Sequence, residues 1–177
     1  MNRILYRSTI VLMLLGAMFA VVASPVLADA PAPDKQMAKY EIKFMEEMID
    51  HHAMAVMMAE MCLMNAIHPE LETMCQDIIA TQSAEIEMMQ MWLMDWYGIS
   101  HEPDMHMGEM EGHMSMDPAQ FEEWFMKHMI GHHATAIQQA EDCLEEAYNS
   151  ELISMCQNII VTQSQEIDTM QAWLCEW

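Results

Sequence analysis

Residues Phe44–Trp96 recur as Phe125–Trp177 without a gap, at a constant offset of 81, and about 30 of the 53 aligned pairs are identical. A self-similar unit of this length constrains the fold more than any other feature of the chain. Each copy must adopt the same supersecondary structure, and neither can bury its apolar face alone. The best-matched stretch is Met48-Ile49-Asp50-His51-His52-Ala53, which returns as Met129-Ile130-Gly131-His132-His133-Ala134.

The periodicity inside each copy is helical. Phe44, Met48, His52, Ala55, Ala59, Cys62 and Ala66 follow one another in steps of three and four, as do Leu71, Cys75, Ile78, Gln82, Glu85, Met89 and Leu93. The spacing predicts helices over 35–66, 69–97, 118–148 and 150–177. His68-Pro69 and Asp117-Pro118 mark helix starts with proline in the first turn, and Gly98 marks a stop. Each repeat is then a helical hairpin, about 35–97 and 118–177, joined by a linker over 99–116. The expectation is an all-α, up-down-up-down four-helix bundle made of two repeated hairpins.

In an antiparallel hairpin, residues at one level have position numbers with a constant sum. A sum of 137 pairs Cys62 with Cys75, Ala55 with Gln82 and His52 with Glu85. A sum of 299 pairs Cys143 with Cys156, Ala136 with Gln163 and His133 with Glu166. Small alanines beside the level cysteines allow close helix approach, so disulfides Cys62–Cys75 and Cys143–Cys156 are expected. The rival reading is reduced thiols holding Cu(I). Cys175 is left over, its counterpart being Met94, and it is open to three roles: a free thiol, a soft ligand or an intermolecular link.

Residues 1–28 read as an export signal: Arg3 and Arg7, then the apolar run 10–22, then a small-residue cleavage site. That leaves 29–177 as one exported domain, periplasmic or extracellular, in a compartment that favours disulfides. Both arginines go with the signal, so 28 acids face four lysines, a formal charge of −24. Such a chain attracts cations and disfavours nucleic acid and anionic membrane surfaces.

Methionine is heavily over-represented: 25 in all, of which Met1, Met13 and Met18 lie in the signal. Methionine at helical spacing is by default core filler, and Met48, Met89, Met129 and Met170 fit that reading. Met57, Met58, Met61, Met64, Met88, Met91 and Met94 align instead with Gln138, Gln139, Asp142, Glu145, Thr169, Ala172 and Cys175. Positions that accept polar groups in one hairpin are expected to face solvent in the other. Met54, Met57, Met58 and Met61 would then form an exposed stripe, either for a soft metal or as a sticky surface for a protein partner.

The linker carries His101, Met105, His106, Met107, Met110, His113, Met114 and Met116, with Gly108 and Gly112 between them. Thioether with imidazole suits Cu(I), and imidazole also suits Cu(II). On the helices, Met48 stands one turn before His51 and His52. Met129 stands one turn before His132 and His133, and His128 is four residues before His132. Adjacent histidines diverge by about 100° on a helix. One of each pair is expected to look inward, toward Glu85 or Glu166, as ligand or as core. The other is expected to look outward, as a ligand with its methionine neighbours.

The paired Met-Ile-x-His-His-Ala blocks and the Cys-Gln-x-Ile-Ile-x-Thr-Gln-Ser-x-Glu-Ile blocks (75–86 and 156–167) resemble the domain-of-unknown-function 305 family. The resemblance implies a ferritin-like four-helix fold, export and, in some members, periplasmic copper binding and copper resistance. Its matching positions are Met48, His51, His52, Met129, His132 and His133.

The function these features predict is binding rather than catalysis. The chain would sequester copper, as Cu(I) and also Cu(II), or hand it to a copper-efflux or chaperone partner. One alternative is an interaction module that docks through methionine. Another is a ferritin-like di-iron oxidase, which would need two Glu-x-x-His motifs; the chain contains none.

Overall fold

The computed structural model describes residues 31–104 and 116–177. Their helices are α1 (Lys35–Asn65), α2 (Pro69–Tyr97), α3 (Pro118–Glu146) and α4 (Ser150–Glu176). The predicted ends carry the expected chemistry. The Asp34 carboxylate accepts from the Gln36 amide at 2.7 Å, and Asp117 accepts from the Ala119 amide at 3.1 Å. Gly98 closes α2 at φ 67°, while the amides of Gly98 and Ile99 return to the carbonyls of Met94 and Leu93. None of the described helices is long and apolar enough to cross a membrane.

α1 packs on α2, α3 on α4, and α1 on α3. The hairpin registers are as expected: both disulfides are formed, each with a Cα–Cα distance of 6.3 Å. The direction of the second hairpin differs from the up-down-up-down expectation. Glu122, near the start of α3, accepts from the amides of Ile67 and His68 just beyond the end of α1. Glu41, near the start of α1, accepts from the amides of Tyr148 and Asn149 just beyond the end of α3. Helices α1 and α3 are therefore antiparallel, and the order is up-down-down-up with one long crossover. The linker has the reach: about 20 residues can span over 60 Å, against about 44 Å for a 29-residue helix. One crossover is the ferritin-like arrangement that the family resemblance implied.

Glu41 and Glu122 are the same residue of the repeat, 0% and 2% exposed. Glu41 also accepts from Asn149 Nδ2 at 2.6 Å and from the Tyr97 hydroxyl, and Glu122 from His68 Nδ1 at 2.7 Å. Each hairpin's tight turn is tied to the other hairpin by a buried carboxylate, and the two ties obey a pseudo-twofold axis.

The apolar core is divided. One cluster, around Phe44, Met48, Met89, Trp92, Leu152 and Met155, fills the end that holds Cys143–Cys156. The other, around Met58, Met61, Leu71, Phe121, Phe125 and Met129, fills the end that holds Cys62–Cys75. Between them lies a polar waist of His52, Gln82, Glu85, His133 and Gln163, each less than 9% exposed.

Candidate metal centre

The waist is built from two blocks of each repeat. The His-His pair lies on α1 or α3, and the Gln-Ser-x-Glu segment lies level with it on α2 or α4. His52 Nε2 meets Glu85 Oε2 at 2.8 Å, and His133 Nε2 lies 2.7 Å from Glu166 Oε2. Both imidazoles are 0% exposed. The Glu85 carboxylate orients the His52 ring through a hydrogen bond, Glu166 stands in ionic contact with His133, and Nδ1 of each ring is buried without a hydrogen-bond partner.

The other histidine of each pair does not face solvent as expected. α1 and α3 cross at His51 and His132, on the pseudo-twofold axis, and their ring centroids are 3.6 Å apart. Each ring is half-buried, and each Nδ1 is buried without a hydrogen-bond partner. Burial, followed by the nearby charge of His52 and His133, lowers the His51 pKa to about 4. Burial, followed by the charge of His51 and His133, lowers that of His132 to about 2. All four imidazoles thus present an unpartnered ring nitrogen at the centre of the bundle. Orphaned buried polar atoms cost about 1–3 kcal/mol each. Among the described residues, no three His, Cys, Asp or Glu side chains are grouped to hold a metal ion. A centre here would draw on the imidazole pair and on thioether sulfur. Met48 and Met129, one turn away, are both fully buried.

The exposed stripe is corrected in part. Met58 and Met61 are 5% and 6% exposed and pack with Phe121, Phe125 and Met126, while Met54 and Met57 are half-buried. The expectation treated aligned positions as equivalent surroundings. Met58 and Met61 meet the apolar start of α3. Their counterparts Gln139 and Asp142 meet the start of α1, where they line a cleft of about 150 Å³ with Tyr40, Lys43, Phe44 and Glu47. Burial, with the carboxylates of Asp142, Glu146 and Glu47, pushes the Tyr40 hydroxyl up to about 12. Met64, Met88, Met91 and Met94 are exposed, as their alignment with polar residues implied.

The linker ligands are only partly in view. Met105, His106, Met107, Met110, His113 and Met114 lie outside the described residues. His101 Nε2 meets Asp50 Oδ1 at 2.8 Å, and that oxygen also accepts from the Asp104 amide at 2.8 Å. The linker is therefore fastened to α1 beside His51. Met116, at its far end, packs on the Phe121 cluster. His128 is exposed and donates through Nδ1 to the Trp124 carbonyl at 2.8 Å, away from the His51–His132 crossing.

Sequence reading missed Glu41, Glu122 and His68. The signal was available, because the offset of 81 continues upstream of Phe44 to the Glu41–Glu122 pair.

The family model for the domain of unknown function DUF305 matches residues 41–174. The chain belongs to the DUF305 family. Its fold is similar to that of CopM in the Cu(I)-bound form, with a TM-score of 0.71 and 30% identity over 77% of this chain and 96% of that one. CopM in an Ag-bound form gives a TM-score of 0.70 and 31% identity over the same shares. A DUF305 fragment from Deinococcus radiodurans shares the fold, with a TM-score of 0.71 and 24% identity over 84% of this chain and all of that one. No curated protein matches the chain.

Proposed function

We propose that this DUF305 protein is an exported copper-binding protein. It sequesters copper or hands it on through imidazole and thioether ligands, and it is not an enzyme. The observation that carries the reading is the meeting of His51 and His132, two imidazoles held neutral with unpartnered ring nitrogens, at a crossing flanked by Met48 and Met129. Neutral imidazole and thioether are ligands for Cu(I), and imidazole alone also serves Cu(II). The relative CopM has been captured with Cu(I), Cu(II) and silver, which supports the same soft-ion chemistry here.

Two disulfides and the leader-like residues 1–28 support export. The acidic chain would concentrate cations near the surface. His101, held at the foot of the linker beside His51, supports a second, Met/His-rich set of ligands that loads or unloads the waist. Hand-off by ligand exchange would let a copper-efflux or chaperone partner collect the ion.

Copper stoichiometry and X-ray absorption of the chain from residue 29 onward test this. The expected Cu(I) spectrum is a mixture of sulfur and nitrogen scatterers. Replacing the linker's methionines and histidines should remove part of the bound copper and leave a nitrogen-containing site. A protein that takes up no Cu(I) under reducing conditions would contradict the proposal.

A further inference from the structure

On the side of the waist away from His51 and His132, α2 and α4 enclose a small cavity of about 10 Å³. Besides Ile159 its lining consists of six residues with side-chain oxygen: Thr81, Gln82 and Glu85 from α2, and Thr162, Gln163 and Glu166 from α4. The two sets are related by the repeat offset of 81. Gln82 and Gln163 are 2% and 3% exposed, and Oε1 of each is buried without a hydrogen-bond partner. Each glutamate sets one oxygen within 2.8 Å of its histidine's Nε2 and keeps a second.

Two carboxylates facing one small cavity attract a cation. His52 and His133 meet one oxygen of each carboxylate, and the four lysines after residue 28, Lys35, Lys39, Lys43 and Lys127, are exposed and do not line the cavity. We infer that the α2–α4 cavity is a site for a single hard divalent cation, held by the carboxylates of Glu85 and Glu166 and the amide oxygens of Gln82 and Gln163. Oxygen donors without sulfur select cations of the magnesium, calcium and manganese class over copper. A volume of about 10–15 Å³ holds one water-sized body, so the site takes one ion. A route to it exists, because Glu85 and Glu166 also border open grooves, beside Trp92 and Met155 on one flank and Met74 and Thr169 on the other. The cation would brace the two Glu–His pairs that orient the waist, and it stands independently of the copper proposal.

Manganese is the probe, with copper-free protein. Electron paramagnetic resonance should count one tightly bound Mn²⁺ per chain. Paramagnetic broadening in methyl NMR spectra should centre on Thr81, Thr162 and Ile159. The double variant Gln82→Leu/Gln163→Leu removes two unpartnered acceptors and should weaken Mn²⁺ binding at least tenfold. Broadening confined to surface carboxylates would overturn the inference, and so would unchanged Mn²⁺ affinity in a folded double variant. If that variant does not fold, the broadening map of the unaltered protein decides. A cavity that holds only water gives no broadening there.

Discussion

At the residue scale, the waist histidines set the chemistry. The pKa of His51 is lowered to about 4 against an ordinary 6.5, so below pH 6.5 the unfolded chain binds more protons than the folded one. The stability that this residue contributes is complete above about pH 6.5 and is lost as the pH falls toward 4; His132 acts in the same direction. NMR of copper-free protein should therefore find both rings neutral at pH 5.5. Titration of His51 near 6.5 would contradict the buried pair. A site using these rings keeps its imidazoles unprotonated in mild acid, so Cu(II) held there should survive to lower pH than Cu(II) on exposed histidine. The buried carboxylates give a second residue-scale prediction. Glu41→Ala strands the amides of Tyr148 and Asn149, and should cost about 3 kcal/mol or more in urea denaturation. Glu122→Ala should do the same at the other turn, while exposed Glu123→Ala should change stability by less than about 0.5 kcal/mol.

At the element scale, the hairpins were legible because their information is local. A constant position sum brings Cys62 to Cys75 and His52 to Glu85 from the sequence alone, since helical period and tight turns leave few other registers. Each disulfide closes a short loop, and its replacement by alanines should cost about 3 kcal/mol in denaturant midpoint experiments. Gly98→Ala should cost about 1 kcal/mol from backbone conformation alone, because φ is 67° and nothing lies within 4 Å of an added Cβ. Two things were not legible. The exposure of Met58 and Met61 depends on which end of α3 they meet, and that is a property of hairpin-on-hairpin packing. The destination of His51 likewise depends on the angle and direction at which α1 crosses α3.

At the scale of the whole molecule, the pseudo-twofold axis explains what local reading could not. It places His51 against His132, makes α1 and α3 antiparallel, and turns the linker into a crossover fastened at Asp50. A duplicated hairpin that paired its copies head to tail would bring no residue against its own counterpart. This arrangement does so at the one level where each repeat carries two histidines. The cost of burying that polar layer between two apolar clusters is the physical reason to expect an ion there. The most direct measurement is a Cu(I) competition titration of the oxidised protein and of His51→Phe/His132→Phe, with helical content checked by circular dichroism. The variant should remain folded and lose the tightest Cu(I) equivalent, with at least tenfold weaker competition against a chelator. An unchanged first equivalent in a folded variant would show that copper is held elsewhere and that the histidine crossing is only core.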